Sequence, residues 1–121
     1  GILLINLGTP SEPTVPAVRR YLREFLQDPR VIDIPWLSRW ILVNLVVAPF
    51  RAPKSCAAYQ KVWLKDGSPL AVYGEQLRAA IQEKLPDMPV ELGMRYGQPS
   101  IRSAMDKLTQ RGCSHIIAVP L

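Results

Sequence analysis

The chain is poor in the residues from which metal centres and nucleophilic sites are built. Its 121 residues include one histidine and two cysteines. Cys56 and Cys113 stand far apart and match no metal-ligand spacing, so they read as two reduced thiols. With His115 as the sole imidazole, neither a metal site nor a Cys–His nucleophile can be assembled from this chain. No G-x-G-x-x-G or P-loop pattern occurs, which removes the common phosphate-cradling motifs. No Lys/Arg run interleaved with aromatics occurs either. The net charge of +5 and pI near 9.6 therefore permit an anionic partner without pointing to nucleic acid. There is no internal repeat and no low-complexity tract. "GILLINLG" lacks a basic leader and meets Gly8 and Pro10 early, so it is a strand and not a signal peptide. The apolar stretch Trp40–Phe50 is too short for a bilayer, which needs about 20 such residues.

What is present is an α/β pattern. The continuous apolar run Ile2–Gly8 suits a strand buried on both faces, as in a parallel sheet. After a proline-rich loop, Thr14 is placed as a helix N-cap with Pro16 in the first turn. Val18, Tyr21, Leu22, Phe25 and Leu26 follow at helical spacing, and "DPR" at residues 28–30 ends the helix. Residues 54–65 read as a second helix with Tyr59, Val62 and Trp63 on one side. Ser68 and Pro69 open a third, whose expected buried stripe is Leu70, Tyr73, Leu77, Ile81 and Leu85. Residues 88–97 form a second strand. Ser100 caps another helix with Ile101, Ala104, Met105 and Leu108 inward, and Gly112 stops it. "HIIAVPL" is a third strand. At 121 residues and 48% hydrophobic composition the chain can build a core, as one domain or part of one. It starts at Gly1 and stops inside an apolar run, as a fragment of a longer protein would.

Strand, helices, strand, helix, strand is the order of a parallel sheet with crossover connections. Ligands of such sheets sit outside the carboxyl ends of the strands. Those ends are "LGTP" (7–10), "RYGQP" (95–99) and "VPL" (119–121). Arg95 at such an end reads equally as a structural ion pair or as a ligand contact. His115 begins the third strand, at the opposite end of the sheet.

"LLINLGTP", "FRAPK", "DGSPL", "GMRYGQP" and "VPL", in that order and spread over essentially the whole chain, resemble the ferrochelatases, and most closely the enterobacterial type that uses protoporphyrin. The resemblance implies an α/β, doubly wound parallel sheet of chelatase-like, Rossmann-like type, and an enzyme that inserts ferrous iron into protoporphyrin IX to form heme. It covers only the first part of the amino-terminal domain of a two-domain enzyme, so residues 1–121 form that part. The catalytic histidine and its acidic partner are expected beyond Leu121, which leaves this portion inactive alone. By the same resemblance, Leu7, Arg51, Tyr59, Ser68, Arg95 and Tyr96 match porphyrin-binding positions. The Tyr59–Ser68 spacing is two residues longer than in the human enzyme. Ferrous iron is then a substrate, with no further cofactor.

The same resemblance gives the stretch at about 34–50 a role as an apolar lip, with Trp36, Leu37, Trp40 and Ile41 outward. Such a rim can bury porphyrin or lipid surface at about 25 cal/mol per Å². Arg39 and Arg51, which bracket it, can pair with propionates or anionic head groups. Val43, Val46 and Val47 are expected inside. A cytoplasmic, membrane-peripheral protein follows. Two alternatives stay open: a non-catalytic tetrapyrrole-binding or membrane-peripheral module, and a chelatase for another tetrapyrrole. A downstream histidine and acidic residue would separate them from the first.

Overall fold

A computed structural model describes residues 1–121, which divide into two units: Gly1–Thr9 with Pro69–Leu121, and Pro10–Ser68. The first is built on three parallel strands in the order β2-β1-β3. Strand β1 spans Ile2–Gly8, β2 Val90–Tyr96 and β3 Ile117–Pro120. The central strand pairs Leu4 with Leu92 on one side and with Val119 on the other. Because side chains alternate along a strand, its two faces feed two cores. Leu4, Val90, Leu92 and Met94 pack with Leu70, Ala71 and Ile81 of α4 (Pro69–Lys84). On the other face Leu3 packs with Ala104 and Leu108 of α5 (Ile101–Gln110). Helices thus cover both faces, which is the doubly wound arrangement, and the run Ile2–Ile5 is apolar throughout for that reason.

Local signals place α5 well. The Ser100 hydroxyl accepts from the Ser103 N–H at 3.1 Å. At the other end Gly112, with φ +80°, donates to the Thr109 carbonyl and Cys113 to that of Leu108. That double bond pattern is the Schellman stop. Two other expectations fail here. On α4 the stripe faces the sheet only in part: Leu70 and Ile81 pack on it, but Tyr73 is 59% exposed, and Leu77 and Leu85 are exposed too. Gly74 faces it as well, where a Cβ would lie 3.0 Å from Leu92 Cδ2. Small residues let the helix approach the sheet closely, and that contact keeps Leu70 and Ile81 on the sheet while Tyr73, Leu77 and Leu85 turn outward. Met105 is likewise exposed. The third strand begins at Ile117, two residues later than expected, so His115 lies before it.

The second unit is helical. Helix α1 (Val15–Leu26) packs on α3 (Ala48–Val62) through Val18, Ala52 and Cys56, with Val15, Leu22 and Tyr59 around them. Pro16 lies in the first turn of α1, but Thr14 makes no side-chain capping bond. The Cys56 thiol donates to the Pro13 carbonyl at 3.2 Å, and Gln60 Nε2 to the same oxygen at 3.0 Å.

Helix α3 starts at Ala48, six residues earlier than the sequence suggested. It continues without a break from α2 (Trp36–Ile41) and a π-helical segment, Leu42–Val47. In that segment the Ala48 N–H bonds to the Val43 carbonyl, five residues back. A π turn inserts one extra residue into the helix. Val43 and Ala48 therefore share the buried face, and Ala52 and Cys56 follow at spacings of four. No single helical period describes those steps, which is why the sequence shows none. Pro49, in the first turn of α3, has no N–H to give Leu45, and the wider turn removes the need for one. No helix is long and apolar enough to cross a membrane.

Candidate functional site

In the sheet unit the strand order reverses between β1 and β3, and the carboxyl ends there form the crevice where such folds bind ligands. Leu7 lies at that end of β1, half exposed. Gly8 follows with φ +117° in register with Tyr96, and a Cβ on it would fall 1.9 Å from the Tyr96 carbonyl oxygen. The two strand ends therefore meet backbone to backbone, and only glycine allows it. Arg95 and Tyr96 point to opposite sides of β2. Arg95 is exposed and Tyr96 is buried, with the guanidinium carbon 5.4 Å from the ring centroid. That is cation–π distance, and it positions the arginine on an aromatic face.

His115 is exposed before β3, its Nδ1 3.0 Å from the Ser114 hydroxyl. With Ile117 paired to Ile2 and Pro120 to Ile5, it lies beyond the amino end of the sheet. At about 3.3 Å per residue it is about 20 Å from Leu121 along the strand. No group of three or more His, Cys, Asp or Glu side chains is placed to hold a metal ion.

In the helical unit Arg51 and Tyr59 both lie on α3. Arg51 is exposed and makes no hydrogen bond or ion pair. Helical spacing puts it one turn before Ser55, which with Ala58, Tyr59 and Val62 lines an open depression of about 350 Å³. Tyr59 stands edge-on to Trp63 at 6.2 Å, and burial raises its phenol above the usual 10.0. It is a neutral hydrogen-bond donor at physiological pH. Ser68 is buried, immediately before α4, so a ligand reaches its hydroxyl only if that position is uncovered. The unit carries nine basic and five acidic side chains, an excess that favours anions.

The Trp36–Phe50 stretch holds eight of the nineteen exposed large hydrophobic side chains. Trp36 is 71% exposed and Phe50 76%; Leu37, Trp40, Ile41 and Leu45 are open as well. Val43 is buried, but Val46 is exposed, against expectation, because the π turn carries it to the outer face. The two flanking arginines differ. Arg39 donates to the carbonyls of Ile32 (3.1 Å) and Ile34 (2.9 Å), so its guanidinium is engaged in holding the preceding loop. Arg51 alone is free to meet an anion.

A family model described as Ferrochelatase matches residues 1–121. This chain belongs to the ferrochelatase family. It is 58% identical over 122 residues to the ferrochelatase of Coxiella burnetii (strain Dugway 5J108-111), covering 100% of this chain and 34% of that protein. It is 49% identical over 121 residues to that of Pectobacterium atrosepticum and 50% to that of Escherichia coli O139:H28, covering 38% of each. The chain thus spans little more than a third of the length of these ferrochelatases. Sequence reasoning missed the π segment, the Gly74 contact and the engagement of Arg39. Only the exposed-face spacing of five, from Trp40 to Leu45 to Phe50, could have signalled the first.

Proposed function

We propose that this chain is the amino-terminal portion of an enzyme that inserts ferrous iron into protoporphyrin IX. The observation that carries the reading is family membership over every residue, at 49–58% identity to proteins of that name. The chemistry of the candidate positions supports it. A porphyrin is a flat apolar disc with carboxylates at one edge. Leu7 and the outward Trp36, Leu37, Trp40 and Ile41 suit the disc; Arg51 and Arg95 suit the carboxylates. Tyr59 offers a neutral donor, Tyr96 supports Arg95 through its ring, and Ser68 opens α4. The exposed apolar residues also suit peripheral contact with a membrane surface, and the location that goes with it is the cytoplasmic face. Ferrous iron enters as substrate; no resident cofactor and no nucleic acid is called for.

Insertion exchanges two pyrrole protons for the metal, so a base must lie within hydrogen-bond reach of the pyrroles. His115 is at the wrong end of the sheet for that role. The base belongs to the rest of the enzyme, and residues 1–121 contribute binding and orientation. The test is anaerobic turnover of full-length protein with ferrous iron and protoporphyrin IX, followed by the heme spectrum. Arg51→Ala should raise the porphyrin KM by about tenfold to a hundredfold, the worth of a charge-assisted hydrogen bond. His115→Ala should leave turnover unchanged, and residues 1–121 alone should form no heme above background. Loss of turnover in His115→Ala without loss of folding would overturn the assignment.

A further inference from the structure

We propose that an open depression at the start of α5 takes the carboxylate end of an apolar ligand, with Arg95 and Arg102 as its cationic partners. The depression has a volume of about 430 Å³. Ile101 and Met105 line its apolar part, and Arg95, Ser100, Arg102 and Asp106 its polar part. Arg95 comes from the carboxyl end of β2 and Arg102 from the first turn of α5, so the strand-to-helix connection brings the two guanidiniums to one concavity.

Arg102 is exposed and makes no hydrogen bond or ion pair, although Asp106 follows it by one turn and lines the same depression. A basic residue preceding an acidic one by four is the weaker order for a helical pair. The guanidinium is left with its planar fork of donors unused, beside apolar surface, and that fork matches a carboxylate in geometry. Asp106 opposes an incoming anion, so the set of two cations and one anion suits a single carboxylate better than a doubly charged phosphate. The methionine and isoleucine surface asks that the carboxylate be attached to an apolar body. A tetrapyrrole propionate and a fatty acid both meet that description. The first of these sources rests on the function proposed above; the second does not.

Arg102 is thereby a specificity residue separate from Arg51, and the two sources can be told apart in one experiment. Full-length protein is titrated with protoporphyrin IX, with its dimethyl ester and with palmitate, in wild type and in Arg102→Ala, Arg102→Lys and Asp106→Asn. For protoporphyrin IX as the source, Arg102→Ala weakens binding of the diacid about tenfold and leaves the diester within about twofold. Arg102→Lys retains part of the affinity, and Asp106→Asn tightens the diacid. Melting temperatures stay close to wild type, since both residues are on the surface. Palmitate binding that depends on Arg102, with no binding of protoporphyrin IX by wild type, would uphold the depression and defeat the function proposed above. Protoporphyrin binding indifferent to Arg102, with palmitate not bound, would leave that function standing and overturn the depression. Equal losses for diacid and diester, or binding of none of the three probes, would overturn it as well.

Discussion

Leu4 and Leu45 are the same residue in two apolar runs, and they have opposite fates. In Ile2–Leu7 the alternation of a strand sends Leu3 to the α5 side and Leu4 to the α4 side, and both are buried. In Trp36–Phe50 one helical face buries Val43 and Ala48, while Leu45 and Phe50 on the other remain in solvent. An apolar run states only that water is disfavoured on its surface. Whether that surface is covered depends on how many of its faces have neighbours. A contiguous apolar surface left open is a binding surface more often than an accident. The arginines repeat the contrast on a smaller scale: Arg39 is engaged with the chain's own carbonyls, and Arg51 is not.

The contrast can be broken first at the strand ends. In the full-length protein Gly8→Ala should cost about 4 kcal/mol or more, because the new Cβ meets a backbone oxygen that cannot move alone. Gly112→Ala, where nothing lies within 4 Å, should cost only about 1 kcal/mol for the left-handed backbone. Urea midpoints compare them, and equal losses would mean the strand ends are not pressed together.

Leu4→Ala should cost about 2–5 kcal/mol, as a large-to-small change in a closed core does. Leu45→Ala should fall within about 0.5 kcal/mol. A large loss at Leu45 would show that its face is covered in the full-length protein. Next in size, Arg39→Ala should lose about 1–3 kcal/mol by stripping two carbonyls of their donor, while Arg51→Ala leaves stability unchanged. A drop in the melting temperature of Arg51→Ala matching that of Arg39→Ala would erase the distinction between them.

The smallest effect concerns pH. Burial raises the Tyr59 phenol, so the native state holds its proton where the unfolded chain, ionising near 10.0, has begun to lose it. The contribution of this group to stability is therefore complete below about pH 9 and declines as pH rises through 10 and beyond. Tyr59→Phe should flatten the alkaline part of the stability profile measured by urea unfolding between about pH 8 and 11. An identical slope in both proteins would place the phenol in solvent.

Much of the sheet unit was legible because its signals are local. Strand β1, the Ser100 cap, the Gly112 stop and the start of α4 at Pro69 each depend on residues a few positions apart, whose energetics hold in any context. Strand order then located the crevice by rule, and the motifs pointed to the family. The candidate positions are only partly readable that way: Arg51 and Arg95 are exposed to solvent, whereas nothing in "DGSPL" reveals that Ser68 is buried. The face of α4 that meets the sheet was decided by the approach distance that Gly74 permits, which keeps Leu70 and Ile81 inward but turns Tyr73 and Leu77 out. The π turn was decided by the need to keep Val43 and Ala48 on one buried face across Pro49. Arg39 was withdrawn from the anion-binding set by two carbonyls five and seven residues earlier, and Arg102 joined Arg95 through the turn into α5. A sequence determines the free energies of neighbours along the chain. Which surfaces are covered, and which charges stay unpaired, is settled only when distant segments compete for the same space.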